Sequence, residues 1–309
     1  YTAGTDITVP AGSLTGSTPI TAISDTLDEA DETVIATVAS VTNAVDATAG
    51  PVTTTILDDD LSPILSIGAS PLTIAENGGT TTFTVSISEV SGRDVDVTLA
   101  FSGTASGNGI DYVTPPQVIT IPAGQITQTF DVTSIDDALN EAAETVAVTL
   151  LSSVGGSITG FTQAVATITD DDAAPDVTLS IPQATTLEDF GQAQVTATLS
   201  AVSGQNVIVD LSYTGVAIRG TDYLAPTQIT IPAGRLSAAV NIVGQRDGLD
   251  EFNESVNVEI VGVTNSFTLS LQTATTTILD NDSQPTVNLS VSSATIAEAS
   301  GAAVFTATL

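Results

Sequence analysis

The acidic residues are where chemistry would reside in this sequence. Between positions 76 and 172 stand Glu76, Asp111, Asp136, Asp137, Glu141, Glu144, Asp170, Asp171 and Asp172, nine carboxylates in four turn-flanked segments. Charges of one sign gathered this closely repel, each pair at about 4 Å costing roughly 1 kcal/mol in water and more near a protein surface. A fold that collects them needs cations. Calcium suits the donor set: it accepts about six to eight oxygen ligands in irregular geometry and takes carboxylates, carbonyls and water together, whereas magnesium demands a stricter octahedron.

Composition narrows the alternatives. The 309 residues include 36 acidic and only four basic side chains, Arg93, Arg219, Arg235 and Arg246, with no histidine, cysteine, methionine or tryptophan. Disulfides, zinc and haem ligation, thiol nucleophiles and the commonest general base are thereby excluded. The surplus of negative charge repels nucleic-acid phosphates and anionic lipid surfaces. Paired carboxylates can hydrolyse glycosides, but these are clustered as ligands beside no other catalytic group, so no enzyme is expected. No apolar run approaches about 18 residues and no basic-then-apolar leader is present, so neither a membrane span nor a signal peptide is expected in this segment.

The acids recur with a fixed period. Val9-Pro10-Ala11-Gly12 returns as Ile121-Pro122-Ala123-Gly124 and Ile231-Pro232-Ala233-Gly234, and Asp58-Asp59-Asp60 returns as Asp170-Asp171-Asp172 and Asp280-Asn281-Asp282. Glu76, Glu188 and Glu298 follow the same spacing, about 111 residues per repeat, which is the size of one seven-stranded β-sandwich. The period implies complete modules at 61–172 and 173–283, the later strands of a module at 1–60 and the first strands of another at 284–309. The sequence thus reads as a window on a longer repeating chain. Strand exchange between copies, residues 284–309 of one completing residues 1–60 of another in a head-to-tail filament, is the alternative.

Elements that could position the acids are strands. Phe83/Val85/Ile87, Val95/Val97/Leu99/Phe101, Val146/Val148/Leu150 and Ala164/Ala166/Ile168 alternate with polar residues, the period-two pattern of half-buried antiparallel strands. Glycine- and proline-bearing turns separate them, among them Glu76-Asn77-Gly78-Gly79, Ser91-Gly92 and the Pro-Ala-Gly tripeptides. An all-β fold of tandem sandwiches, about seven strands each, is predicted. Tyr112 and Tyr223, after the loop acids Asp111 and Asp222, are predicted to pack at the sandwich end.

The run Asp-Asp-x-x-x-Glu-x-x-Glu at 136–144, the closing Asp170-Asp171-Asp172, the early Glu76 and the Gly109-Ile110-Asp111-Tyr112 turn together resemble the Calx-β domain, in successive copies along the whole chain. The resemblance implies an immunoglobulin-like sandwich that binds several calcium ions at one end. It also implies Glu76, Asp111, Asp136, Asp137, Glu141, Glu144, Asp170, Asp171 and Asp172 as side-chain ligands, with the Leu139 carbonyl as a backbone ligand. Onto the next module it carries Glu188, Asp222, Asp247, Glu251, Glu254, Asp280 and Asp282. There Arg246 replaces the first Asp of the pair and Asn281 the middle Asp of the triplet, so fewer or weaker ions are expected. In the first segment Ser24 takes the Arg246 place beside Asp25, Glu29 and Glu32, and Asp58, Asp59 and Asp60 close the set.

The function these readings imply is a calcium-rigidified stalk, fibre or matrix protein, extracellular and bacterial in composition. Its partners would be calcium, neighbouring modules or other copies, and surface glycans or matrix. A calcium-sensing regulatory module and a calcium-dependent carbohydrate-binding adhesin are the alternatives; the first needs an effector and the second an aromatic platform, and neither stands out in the sequence.

Overall fold

The computed structural model describes every residue except 48, 49, 161 and 268–271, and every regular element among the described residues is a β-strand. Chain contacts divide it into two units, one of residues 1–137 and 143–171, the other of residues 138–142 and 172–309.

In the first unit two sheets face one another. One runs Thr127–Thr133, Thr80–Ile87, Ile64–Ser70, Ser157–Ile158; the other runs Thr73–Ala75, Gln163–Thr169, Glu144–Val154, Val95–Gly103, Val118–Ile121. The alternation is realised: Phe83, Val85 and Ile87 from one sheet and Val95, Val97, Leu99, Val146 and Val148 from the other point inward and are buried. Each such side chain contributes about 1.5–3 kcal/mol by leaving water. The Phe83 ring is wholly buried and stacks on Phe130 with centroids 5.5 Å apart.

Among the described residues these two sheets hold nine strands where about seven were expected, because the first strand divides between sheets and a two-residue strand, Ser157–Ile158, adds an edge. After Ile64–Ser70 the chain crosses to the opposite sheet as Thr73–Ala75, which lies parallel to the last strand (Thr167↔Thr73, Ile168↔Ile74). The sandwich is therefore antiparallel except at its two short edge strands. This crossing matters chemically: it lays Glu76 beside the end of the strand that leads into Asp170.

The second unit repeats the plan. Its sheets run Val177–Ser180, Gln192–Leu199, Ser237–Gly244, Tyr223–Leu224 and Thr185–Leu187, Thr273–Leu279, Glu254–Thr264, Val207–Gly215, Gln228–Ile231. Val195, Val207, Val209, Ile231, Ile242, Val256 and Val258 form its core.

The ends of the chain carry hairpins: Glu32–Ala36 with Val52–Ile56 in the first unit, and Asn288–Val291 with Phe305–Thr308 in the second. The first keeps the register of its counterparts, Glu32↔Ile56 matching Glu144↔Ile168 and Glu254↔Ile278. Register is what fixes the acid: a one-residue slip would turn each of these glutamates to the other face.

Replacing Phe83 by alanine removes a fully buried, stacked ring. An unfolding free energy lower by about 3–5 kcal/mol is expected for the first sandwich, read from its denaturant midpoint; a loss under about 1 kcal/mol would contradict the packing described.

Candidate metal centre

Four short backbone arrangements assemble the acids of the second unit at one end of its sandwich. Glu188 follows the edge strand Thr185–Leu187, and its N–H is held by the Leu279 carbonyl at 3.1 Å, one residue before Asp280. The Asp222 carbonyl accepts from Gln245 N–H at 2.9 Å, tying the Gly-x-Asp-Tyr turn to the start of the Asp247 loop. Asp247 turns that loop itself, its Oδ1 accepting from Leu249 N–H at 2.8 Å, an Asx turn. Asn253 Oδ1 accepts from Asp280 N–H at 3.1 Å and sets the start of the closing triplet.

The result is two groups of three carboxylates. Single oxygens of Glu188, Asp280 and Asp282 lie within 4.8 Å of one another, as do those of Asp222, Glu251 and Glu254. Glu188 is only 6% exposed and accepts from Asp247 N–H at 3.1 Å. Asp280 Oδ1 is buried with no hydrogen-bond donor. A buried carboxylate oxygen without a donor is costly unless a cation meets it. The pocket that Glu188, Asp222, Asp247, Glu251, Glu254 and Asp280 line, with Gln245, Phe252 and Ile278, leaves about 10 Å³ for a water-sized occupant. That is room for a water or an ion and far below the ~300 Å³ or more of organic-ligand pockets.

Protonation reports the same crowding. Burial, then the Asp222, Glu251 and Glu188 carboxylates, push Glu254 up to about 7. Burial raises Glu188 despite the Asp247 N–H that lowers it, and burial followed by Asp247, Asp222 and Asp280 raises Glu251.

The first unit carries the same arrangement. Glu76 N–H is held by the Thr169 carbonyl at 2.9 Å and Asp111 accepts through its carbonyl from Ile135 N–H at 2.9 Å, as Glu188 and Asp222 do in the second. Carboxylate oxygens of Glu76 and Asp137 lie within 4.8 Å, as do those of Asp111 and Glu144. Asp171 Oδ2 accepts from Asn77 Nδ2 at 2.7 Å, Asp170 is half-buried and Asp136 is exposed. Leu139, Glu141 and Asp172 fall in the second unit, where the Asp172 carbonyl accepts from Asn140 Nδ2 at 3.3 Å. In the first sixty residues Asp25, Glu29, Glu32, Asp58, Asp59 and Asp60 line one cavity of about 80 Å³. Burial and surrounding acids raise Glu29 and Asp60 there.

Two site features escaped the sequence reading. Arg246 Nε lies 3.2 Å from Asp189 Oδ1, so the cation that replaces Asp136 is matched by an acid that replaces Asn77. Asp31, which caps Asp58 N–H at 3.1 Å, stands at the position of Asn253, and that shared offset was the available signal. Tyr112 and Tyr223 are buried beside the loop acids; Tyr1 is exposed.

Tandem all-β sandwiches with acid-lined ends are the class this fold and site define. The chain belongs to the Calx-beta domain family, whose sequence pattern matches residues 58–172 and 170–282. Among solved structures, CBD12 from CALX1.2 is similar at 21% identity over 64% of this chain and 80% of that one, with a TM-score of 0.32. The calcium binding domain CBD12 of CALX1.1 gives 18%, 69%, 99% and 0.32, and an apo-form Calx CBD1 domain gives 27%, 35%, 98% and 0.31. The family assignment rests on the sequence match, not on these scores. A comparison with curated proteins finds no match.

With divalent ions chelated, the raised Glu254 makes stability fall as pH rises. The folded chain holds its proton more tightly than the unfolded chain between the ordinary value of 4.5 and about 7, so unfolding is favoured progressively across that window. A melting temperature of the second unit that is higher at pH 5 than at pH 7.5 in chelator is the expected outcome; the reverse order would contradict the crowding.

Proposed function

We propose that this chain is a calcium-binding repeat array in which ions stiffen the acidic sandwich ends of an extracellular stalk, fibre or matrix on a bacterial surface. The observation that carries the reading is the buried, donorless Asp280 Oδ1 in one of two carboxylate triads at this end of the sandwich. Glu188, Asp280 and Asp282 would hold one ion and Asp222, Glu251 and Glu254 another. Asp247, whose N–H is engaged by Glu188, orients the loop between them.

The equivalent residues of the first unit, Glu76, Asp111, Asp136, Asp137, Glu144, Asp170 and Asp171, would bind more ions, because no guanidinium stands among them. The Asp58–Asp60 run supports a stiffening role: it lines the acidic cavity of the first segment and then leads within a few residues into Ile64–Ser70. An ion there ties two successive folded pieces at the stretch of chain that joins them. A cation that binds only the folded chain adds roughly 1–3 kcal/mol per weak site at millimolar calcium.

Calorimetric titration of chelator-treated protein with calcium is expected to show several sites. Asp280→Asn should weaken those of the second sandwich by about tenfold or more, and Arg246→Asp should raise the number of ions bound. Unchanged heats in both variants would contradict the assignment.

A further inference from the structure

Asp28 stands in the loop of the first segment between the acids Asp25 and Glu29, and it is only 3% exposed. Its carboxylate faces away from the ion cluster toward the turn Ser91-Gly92-Arg93. Arg93 donates to it twice, Nη2 to Oδ1 at 2.7 Å and Nε to Oδ2 at 3.0 Å, and Ser62 Oγ donates at 3.2 Å. The Asp28 carbonyl accepts from Gly92 N–H at 3.0 Å and from Ser91 Oγ at 3.3 Å. The turn is itself braced, the Ser91 carbonyl accepting from Gly124 N–H at 3.0 Å. The turn also approaches the loop closely at Gly92, where a Cβ would lie 2.7 Å from Glu29 Cγ and force that side chain to shift.

The second unit builds the same clasp from the next copies of these residues. The Asn140 carbonyl accepts from Gly204 N–H at 3.0 Å and Ser203 Oγ at 3.1 Å, and the Ser203 carbonyl accepts from Gly234 N–H at 2.9 Å. A Cβ on Gly204 would collide with Glu141, as one on Gly92 would with Glu29. The backbone half of the clasp is identical in both. What differs is the side chains: Asp28 pairs with Arg93 in one, whereas in the other Asn140 Nδ2 donates to the Asp172 carbonyl at 3.3 Å and Gln205 stands at the place of Arg93.

We propose that the Ser-Gly turn is a docking surface for the acidic loop of another repeat of this protein, and that the residue after the glycine selects which loop it accepts. The backbone bonds are common to every loop and cannot discriminate. Arg93 can, because a nearly buried carboxylate is tolerated only with its charge partner in place, whereas an amide needs none. Arg93 therefore specifies an Asp-bearing loop, and the turn that carries Gln205 in its place, having no cation to offer, an uncharged one, which would fix the order in which repeats pack. The inference goes beyond the calcium reading and does not rest on it.

The test uses the full chain, in chelator and in calcium. Arg93→Gln is expected to lower the melting temperature by about 4 °C or more and to speed Gly92 amide exchange at least tenfold. Asp28→Asn with Arg93→Gln, which copies the second clasp, should recover most of both losses. At the second clasp Asn140→Asp alone should speed Gly204 exchange, and adding Gln205→Arg should reverse it; this arm stands even if Arg93→Gln fails to fold. Recovery at either clasp supports selection. Double variants that lose as much as the sum of their singles would overturn it, and leave the calcium titration unaffected.

Discussion

Repulsion among carboxylates at the sandwich ends is the constraint around which the rest of this structure is organised. Glu254 pushed up to about 7 by burial and by its acidic neighbours, and Asp280 Oδ1 buried without a donor, show that the charges are held together by the fold and against their own electrostatics. The holding elements are ordinary: a β-hairpin register that places Glu32, Glu144 and Glu254 alike, an edge strand that crosses between sheets to deliver Glu76 or Glu188, and Asx turns in the intervening loops. Two apolar cores supply the stability that makes such crowding sustainable. A hard cation at the acids converts the repulsion into attraction without moving the scaffold.

The repeats solve this problem differently. In the second sandwich an arginine stands in the sequence beside the ligand loop and pairs with Asp189, the residue after Glu188. In the first sandwich Asn77 and Asp136 occupy those places, and Asn77 donates to Asp171 Oδ2 at 2.7 Å. A similar exchange occurs outside the ion cluster, where Asp28 paired with Arg93 in one clasp is replaced by Asn140 and Gln205 in the next. Of the four arginines in an otherwise acidic chain, these two each face a specific carboxylate.

Much of this was legible in the sequence because it depends on spacing. The 111-residue period, the alternating strands and the acids at Glu76, Asp111, Asp137 and Glu144 are local patterns repeated in register, and repetition separates them from chance. The pairing of Arg246 with Asp189 and of Arg93 with Asp28 was not legible, since each joins residues more than fifty positions apart whose meeting depends on strand order. The crossing of the first strand between sheets was also hidden: Ile64–Ser70 and Thr73–Ala75 pair in different sheets, and that pairing depends on partners far along the chain. Asp28 looked like one more acid of the cluster, and burial against the Ser91 turn gives it a different role.

Thermal unfolding of the full chain at neutral pH, in excess EGTA and in millimolar calcium, tests the central claim most directly. If ions relieve the crowded carboxylates, calcium raises the melting temperature by several degrees, on the scale of roughly 1–3 kcal/mol for each site filled. Superimposable curves in the two conditions would contradict it.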